Sequence, residues 1–202
     1  MSFVLVTEYA VMAGRENLYG SAYGIAESML VSLPRRWKHV LGVARRARSV
    51  RQVFSDEDAD VLASAAILHD IGYSDQVKVT GFHPLDGAKF LRNQQIAPRV
   101  CALVAHHSCA YREAELRGLS SELYAWPDEG TSVRDALWWA DMTTSPDGDS
   151  TNVHDRIEEI QKRYGTQNLV SVFINQAKDE LIGAVERTEE RLRTAGMGHL
   201  AK

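Results

Sequence analysis

The stretch SDEDADVLASAAILHDIGYS, residues 55–74, decides the fold of this chain. Ser55, followed three residues later by Asp58, resembles a capping box, and the acidic residues here suit the positive end of a helix dipole. From Val61 to Leu68 the side chains are apolar or small nearly all round, a pattern typical of a helix that is buried on every side. The stretch therefore predicts a central buried helix, with Gly72 as its C-terminal stop.

Helical patterns continue on both sides of this stretch, because apolar residues keep recurring at helical spacing. Further helices are predicted to begin at Pro34, at His83 and Pro84, at Pro98 and at Ser132, and two more to follow Gly148, divided near Gly165, the last running from about Asn168 to Ala195. A polar loop is predicted at about 108–130. The run Phe3–Val6 is the one candidate strand, and the predicted fold class is all-α.

Composition and charge narrow the functional class. The 202 residues fit one globular domain, and the net charge of −4 argues against a dedicated nucleic-acid binder, whose domain is usually basic. Cys101 and Cys109 form no CxxC pair, which argues against a thiolate zinc site or a disulfide framework. The N-terminus lacks the basic region of a signal peptide, and no apolar run is long enough to span a membrane. We therefore expect a cytoplasmic protein with no membrane partner and no stable nucleic-acid binding.

Five of the seven histidines lie at the ends or on the inner faces of helices that are predicted to be buried: His39, His69, His83, His106 and His107. Asp70 directly follows the buried helix, where a charge is costly unless it is paired or bound to metal. Imidazole and carboxylate are suitable ligands for a divalent metal ion. Each residue alone has a simpler explanation, since a single histidine on an apolar face is usually a core residue and Asp141 could cap a turn toward Ser145.

The order of these residues resembles a known family. His39, then His69 and Asp70, then Asp141 resembles the signature of the HD superfamily of metal-dependent phosphohydrolases. The text AAILHDIGYS at 65–74 resembles its core motif, and WWADMTTS at 138–145 resembles the helix that delivers the last Asp. The resemblance implies a helical bundle with the metal between core helices, these four residues as its ligands, and His69 and Asp70 as catalytic residues.

Two further motifs resemble the subset of this superfamily that binds two metals, in which Asp70 would bridge. They are FHPLDGAKFL at 82–91 and VAHHS at 104–108. His83 and His106 match the extra ligands best, and His107 matches a third ligand seen in HD-GYP phosphodiesterases. Tyr73 replaces the Lys of those enzymes, and their GYP loop is absent, which argues against cyclic-di-GMP hydrolysis. The implied cofactor is one or two divalent ions, drawn from Fe, Mn, Mg, Ni, Co or Zn.

The resemblance implies hydrolysis of a phosphate ester or anhydride in a small phosphorylated molecule, expected to be a nucleotide or dinucleotide. A family that cleaves diadenosine tetraphosphate symmetrically shares the dinuclear layout and an Arg-x-x-His start, which Arg36 and His39 match. Arg36 and Tyr73 are therefore candidate substrate contacts, although Arg36 could equally be a solvated surface residue. Two alternatives stay open: a mixed-valence di-iron oxygenase such as myo-inositol oxygenase, which uses the same ligand set, and a non-catalytic regulatory module.

The resemblance also organises the chain into parts. Its motifs cover about 34–147, preceded by an N-terminal extension, 1–33, and followed by C-terminal helices at about 150–202. We predict that all three parts belong to a single domain spanning 1–202. The charged end of the last helix is predicted to be a solvated face, and the oligomeric state is left open.

Overall fold

The computed structural model describes residues 18–165 and 167–201. Within these ranges every regular element is helical, and the β-type pairing consists of an isolated antiparallel bridge between Thr144 and Ser150. The predicted all-α class is therefore confirmed. The candidate strand Phe3–Val6 lies outside the described residues.

The α-helices are α1 (18–30), α2 (Pro34–Ser49), α3 (Asp56–Leu68), α4 (His83–Asn93), α5 (Pro98–Ala105), α6 (Ala110–Arg117), α7 (Ser120–Tyr124), α8 (Ser132–Met142), α9 (Val153–Tyr164) and α10 (Leu169–Thr194). Short 3-10 turns lie at Arg51–Val53, Ile71–Tyr73, His107–Cys109 and Gly198–Leu200. In the described part of the chain, no helix is both long and apolar enough to cross a membrane.

Helix α3 lies at the centre of the bundle and packs against α2, α5 and α8. The Ser55 side chain caps its start by accepting a hydrogen bond from the backbone N–H of Asp58. From Val61 to Leu68 every residue of α3 is buried. Because helices enclose α3 on several sides, the residues that follow its last turn, His69 and Asp70, enter the protein interior.

The turn after α3 fixes the start of α4. Helix α3 ends at Leu68, and Gly72 lies inside the following 3-10 turn, so its predicted role as the helix stop is wrong. A Cβ at Gly72 would overlap the carbonyl oxygen of His83 and lie 2.8 Å from its Cα. Glycine is required here because the two backbones touch, and this contact holds His83 next to Asp70.

A second close backbone approach joins α2 to the loop after α8. A Cβ at Gly42 would lie 2.5 Å from the carbonyl oxygen of Gly148. The contact holds the loop that contains Ser145 against the middle of α2. Helix α8 begins at Ser132, as predicted, and the Thr131 side chain caps it by accepting a hydrogen bond from the backbone N–H of Val133.

The segment predicted as a polar loop, 108–130, contains helices α6 and α7. Ser108 and Cys109 adopt positive φ angles of 48° and 59°, which reverse the chain after α5 and allow α6 to start at Ala110. Ala114 and Leu123 then bury their side chains in the core. The prediction failed because a few small apolar residues among many charged ones are sufficient for a helix that packs on a single face.

The C-terminal helices follow the prediction, with the break near Gly165 confirmed. Helix α10 packs against α6, α8 and α9, so it holds α9 onto the bundle. The Arg187 guanidinium on α10 forms a two-pronged pair with Asp135 of α8, with Nε–Oδ2 and Nη2–Oδ1 distances of 2.7 and 2.9 Å. The charged end of α10 is therefore partly bound to the bundle instead of being a wholly solvated face.

Candidate metal centre

Six side chains from five parts of the chain converge and form what we term the His/Asp cluster: His39 of α2, His69 and Asp70 after α3, His83 of α4, His107 after α5, and Asp141 of α8. Two sets of three within it have ligand atoms that all lie within 4.8 Å of one another. The first set is His39, His69 and Asp70, and the second is Asp70, His83 and His107. Asp70 belongs to both.

The two carboxylate oxygens of Asp70 face different sets. Its Oδ2 lies 3.3 Å from the Nε2 of His69 and 3.8 Å from the Nε2 of His39. Its Oδ1 lies 3.4 Å from the Nε2 of His83 and 4.0 Å from the Nε2 of His107. Asp70 is thus placed between the two sets, with one oxygen directed to each.

Asp141 closes the cluster from the side of α8. Its Oδ1 lies 3.1 Å from the Nε2 of His39 and 3.9 Å from the Nε2 of His69. The Ser108 hydroxyl donates a hydrogen bond to the other oxygen, Oδ2, at 2.5 Å. The positive φ of Ser108 brings this hydroxyl to the carboxylate, so the reversal after α5 serves both the backbone path and the cluster.

Backbone carbonyls set the orientation of three of the imidazoles. The Nδ1 atoms of His39, His69 and His107 lie 3.0, 2.8 and 2.7 Å from the carbonyl oxygens of Ser145, Ala66 and Val104. A carbonyl only accepts, so the network assigns the proton to Nδ1 in each ring. In the neutral imidazole the Nε2 lone pair is then directed into the cluster.

These residues fit a divalent metal ion. The Nε2 of His69 is buried and has no hydrogen-bond partner in the described residues. The Nε2 atoms of His83 and His107 face each other at 3.1 Å, beside the Asp70 carboxylate. Imidazole lone pairs thus converge beside two ionised carboxylates, and a divalent cation among them would satisfy both. The cluster therefore contains His/Asp groups that could hold a metal ion.

The pKa values of most cluster residues favour the protonation states that metal ligands need. His69 is the exception, since burial lowers its pKa but the carboxylates of Asp70 and Asp141 outweigh this effect and raise it. Burial raises the pKa of Asp70, but the charges of Arg36 and His69 outweigh it and hold that pKa well below its usual range. Burial also raises the pKa of Asp141, and His39 and His69 reverse the effect, so this carboxyl too is ionised at neutral pH. Burial lowers the pKa of His83 strongly. A neutral imidazole and an ionised carboxylate bind metal without first losing a proton.

Arg36 and Tyr73 form one wall of the cluster. The Arg36 guanidinium forms an ion pair with Asp70 and lies over the Tyr73 ring, 3.9 Å from its centroid. The Tyr73 ring in turn stacks on His83, with 4.0 Å between the ring centroids. The alternative that Arg36 is a solvated surface residue is wrong, since its side chain is only 21% exposed and is paired.

The structure differs from the prediction at the His106–His107 pair. His106 ends α5, and its Nε2 lies 2.9 Å from the carbonyl oxygen of Trp126. The backbone carbonyl of His106 accepts a hydrogen bond from Trp138 Nε1 at 3.0 Å. The side chain of His106 belongs to neither candidate ligand set, whereas that of His107 belongs to the second. The physical reason is that the helix breaks between the two residues, so consecutive side chains face opposite surroundings.

A small cavity of about 80 Å³ opens over the cluster, and α9 and α10 form its far wall. That wall carries two arginines and several apolar side chains: Arg156, Ile160, Arg163, Tyr164, Phe173 and Ile174. Sequence reasoning missed all of them, and also Ser108. The α9 sequence did contain one signal, since Arg156 interrupts an apolar stripe formed by Val153, Ile157 and Ile160.

A comparison with family models identifies the HD domain at residues 36–145, more than half of the chain. The matched segment includes all six members of the His/Asp cluster. No curated protein and no solved structure matches the chain. HD domains are typical of metal-dependent hydrolases and bind divalent metals. With this match over the segment that builds the cluster, the chain belongs to the HD domain family.

Proposed function

We propose that this chain is a metal-dependent phosphohydrolase that cleaves a phosphate ester or anhydride in a nucleotide or dinucleotide. The observation that carries the proposal is the position of Asp70, which directs one oxygen to each of two potential ligand sets. A carboxylate shared in this way is the arrangement expected of a site for two ions. His39, His69, Asp70 and Asp141 would hold one ion, and His83 and His107 would complete the second set with Asp70.

Divalent ions in such sites polarise phosphoryl oxygens and lower the pKa of a bound water. The protein's own groups supply orientation and charge. Arg36 uses one N–H for Asp70, and the remaining donors of its guanidinium fork suit a phosphate oxygen. Burial raises the pKa of Tyr73, so the phenol keeps its proton and can donate to the same phosphate. Ser108 holds Asp141 in place through its hydrogen bond.

The cavity wall supports a nucleotide as the substrate class. Tyr164, Phe173 and Ile174 present aromatic and apolar surface to the cavity, opposite the charged cluster. Ligand cavities commonly combine an apolar wall with a few oriented polar groups. A flat nucleobase would pack on this wall while its phosphate reaches the cluster.

The test combines metal analysis with an anaerobic screen for phosphate release. Purified protein is analysed for bound metal and then assayed against nucleotides and dinucleotides, with oxygen uptake measured in parallel on iron-loaded protein. We expect phosphate release without oxygen, lost in Asp70→Asn and kept in the exposed control Asp75→Asn. Oxygen consumption without phosphate release would instead establish the di-iron oxygenase. Absence of both activities, with metal bound, would favour the regulatory module.

A further inference from the structure

A second recess opens beside the His/Asp cluster, and arginines dominate its wall. Arg36, Arg156 and Arg163 line this recess and also the cavity over the cluster, as does Tyr73. The recess and the cavity therefore adjoin along a shared wall, and we call these three side chains the arginine group. Two of them lie on α9, outside the segment that matches the HD domain.

The arginine group carries more positive charge than its protein partners neutralise. Arg156 and Arg163 share a single carboxylate, that of Glu159, whose Oε2 lies 2.6 Å from the Nη1 of Arg156 and 2.9 Å from the Nη2 of Arg163. The third member, Arg36, pairs with Asp70, whose charge the histidines of the cluster also face. Three guanidinium groups are thus balanced by two carboxylates, and both have other partners: Glu159 also lies 4.0 Å from Arg35, and Asp70 also faces the cluster.

Within the arginine group, Arg156 gives the clearest indication of a ligand-binding site. It is only 6% exposed, and its Nε is buried with no hydrogen-bond partner in the described residues. A buried guanidinium N–H without an acceptor lowers the stability of the fold, so a bound ligand that accepts its hydrogen bond would explain why this arginine is buried here. Burial raises the pKa of Asp141, while His39, His69 and then Arg156 lower it, so the charge of Arg156 also reaches the cluster.

We propose that Arg36, Arg156 and Arg163 form a second phosphate subsite, which binds a phosphate adjacent to the one at the His/Asp cluster. The substrate is then a phosphoanhydride, such as a nucleoside diphosphate or a longer chain, instead of a simple monoester. Arg36 contacts Asp70 and lines both spaces, so the two phosphates would be directly linked neighbours. Guanidinium forks bind phosphate oxygens in pairs, and a phosphate held at the adjoining cluster would place a linked second phosphate here. The proposal rests on the proposed function for the role of the cluster.

The test compares two non-hydrolysable probes that differ by one phosphonate group, methylphosphonate and methylenediphosphonate. Calorimetric titrations use the full-length protein with its metal, with excess Mg²⁺ in both solutions. Arg163→Gln is the main variant, because Arg163 lies at the cavity edge and is more exposed than Arg156. Arg163→Lys keeps the charge but loses the fork. Lys162→Gln is the matched control, an exposed neighbour on α9 with the same change in charge.

We expect the wild type to bind the diphosphonate about tenfold or more tightly than the monophosphonate, as one additional charged contact provides. Arg163→Gln should lower this ratio to about threefold or less while changing methylphosphonate affinity by less than about twofold. Arg163→Lys should give an intermediate ratio, and Lys162→Gln the wild-type ratio. Equal binding of both probes by the wild type, an unchanged ratio in Arg163→Gln, or an equal fall in both Gln variants would overturn the subsite.

These titrations separate the subsite from the reaction, because neither probe is cleaved. If the diphosphonate preference depends on Arg163 but no nucleotide is hydrolysed, the subsite is established and the hydrolase proposal is wrong. If nucleoside monophosphates are hydrolysed and the preference is absent, the hydrolase proposal is supported and the subsite is wrong.

Discussion

Replacing His83 and His107 together should remove one of two bound metal ions. These histidines supply two of the three members of the second ligand set, whereas His39, His69 and Asp70 form the first. We therefore expect two equivalents of metal in the wild type and one in the His83→Ala, His107→Ala double variant. Asp70→Ala should bind none, because that carboxylate belongs to both sets.

The number of bound metal ions also determines how much metal stabilises each variant. At a free metal concentration about 100-fold above its Kd, each bound ion adds ~2.7 kcal/mol to the unfolding free energy. For a chain of this length, that corresponds to a rise in Tm of about 5–11 °C per ion. The metal-induced rise in Tm should therefore fall to about half in the double variant and vanish in Asp70→Ala.

His106→Ala is the matched control, because its ring faces the Trp126 carbonyl instead of the cluster. This variant is expected to lose some stability with its hydrogen bond but to keep both ions and the full metal-induced rise in Tm. Metal is counted by mass spectrometry after dialysis, and Tm is measured by calorimetry with and without metal. One equivalent in His106→Ala, or two in the double variant, would refute the assignment of His107 to the second set.

Three further predictions follow. Gly72→Ala should lower the unfolding free energy by about 1–3 kcal/mol, because the added Cβ would overlap the backbone of His83. Urea denaturation measures this change, and unchanged stability would contradict the close approach of the two backbones. Arg36→Gln should reduce kcat/KM for phosphate release by about tenfold or more, and Arg36→Lys should recover only part of this loss. Equal activity in the wild type and both variants would show that Arg36 does not belong to the site. Metal-stripped protein should lose stability as the pH falls below about 6.5, because the folded pKa values of His39, His83 and His107 are depressed and the unfolded chain binds more protons there. His69, whose folded pKa is raised, acts in the opposite direction, and the three depressed histidines should outweigh it. A second loss is expected below about 4, where Asp70 becomes protonated in the unfolded chain. A stability profile that is flat or rises from pH 7 to 5 would contradict this net depression.

The centre of the fold was predictable because its signals are local. Ser55 caps α3, and the apolar run Val61–Leu68 can only be buried, so the position of Asp70 at the inner end of a core helix follows from the sequence alone. The helix starts at Pro34, His83 and Pro98 also depend on residues in their own first turns.

The choice between His106 and His107 could not be made in the same way. Both follow an apolar helix, and either ring could face inward on sequence grounds. The backbone break after α5 decides between them, and residues distant in sequence stabilise it: the Trp126 carbonyl binds the His106 ring, and the Trp138 indole binds the His106 carbonyl. These contacts join residues that lie 20 and 32 positions apart, so they produce no periodic pattern that could be recognised in the sequence.

The matched segment and the C-terminal helices build different parts of the candidate site. The segment 36–145 builds the His/Asp cluster, which under the proposed function would act on a phosphate. Helices α9 and α10 place Arg156, Arg163 and Phe173 in the wall of the cavity over this cluster, where they would contact a bound substrate. Helix α10 holds α9 in this position by packing against both α9 and α8. We therefore expect changes on the inner face of α9 to alter which phosphorylated molecule is bound while leaving the metal content of the cluster intact.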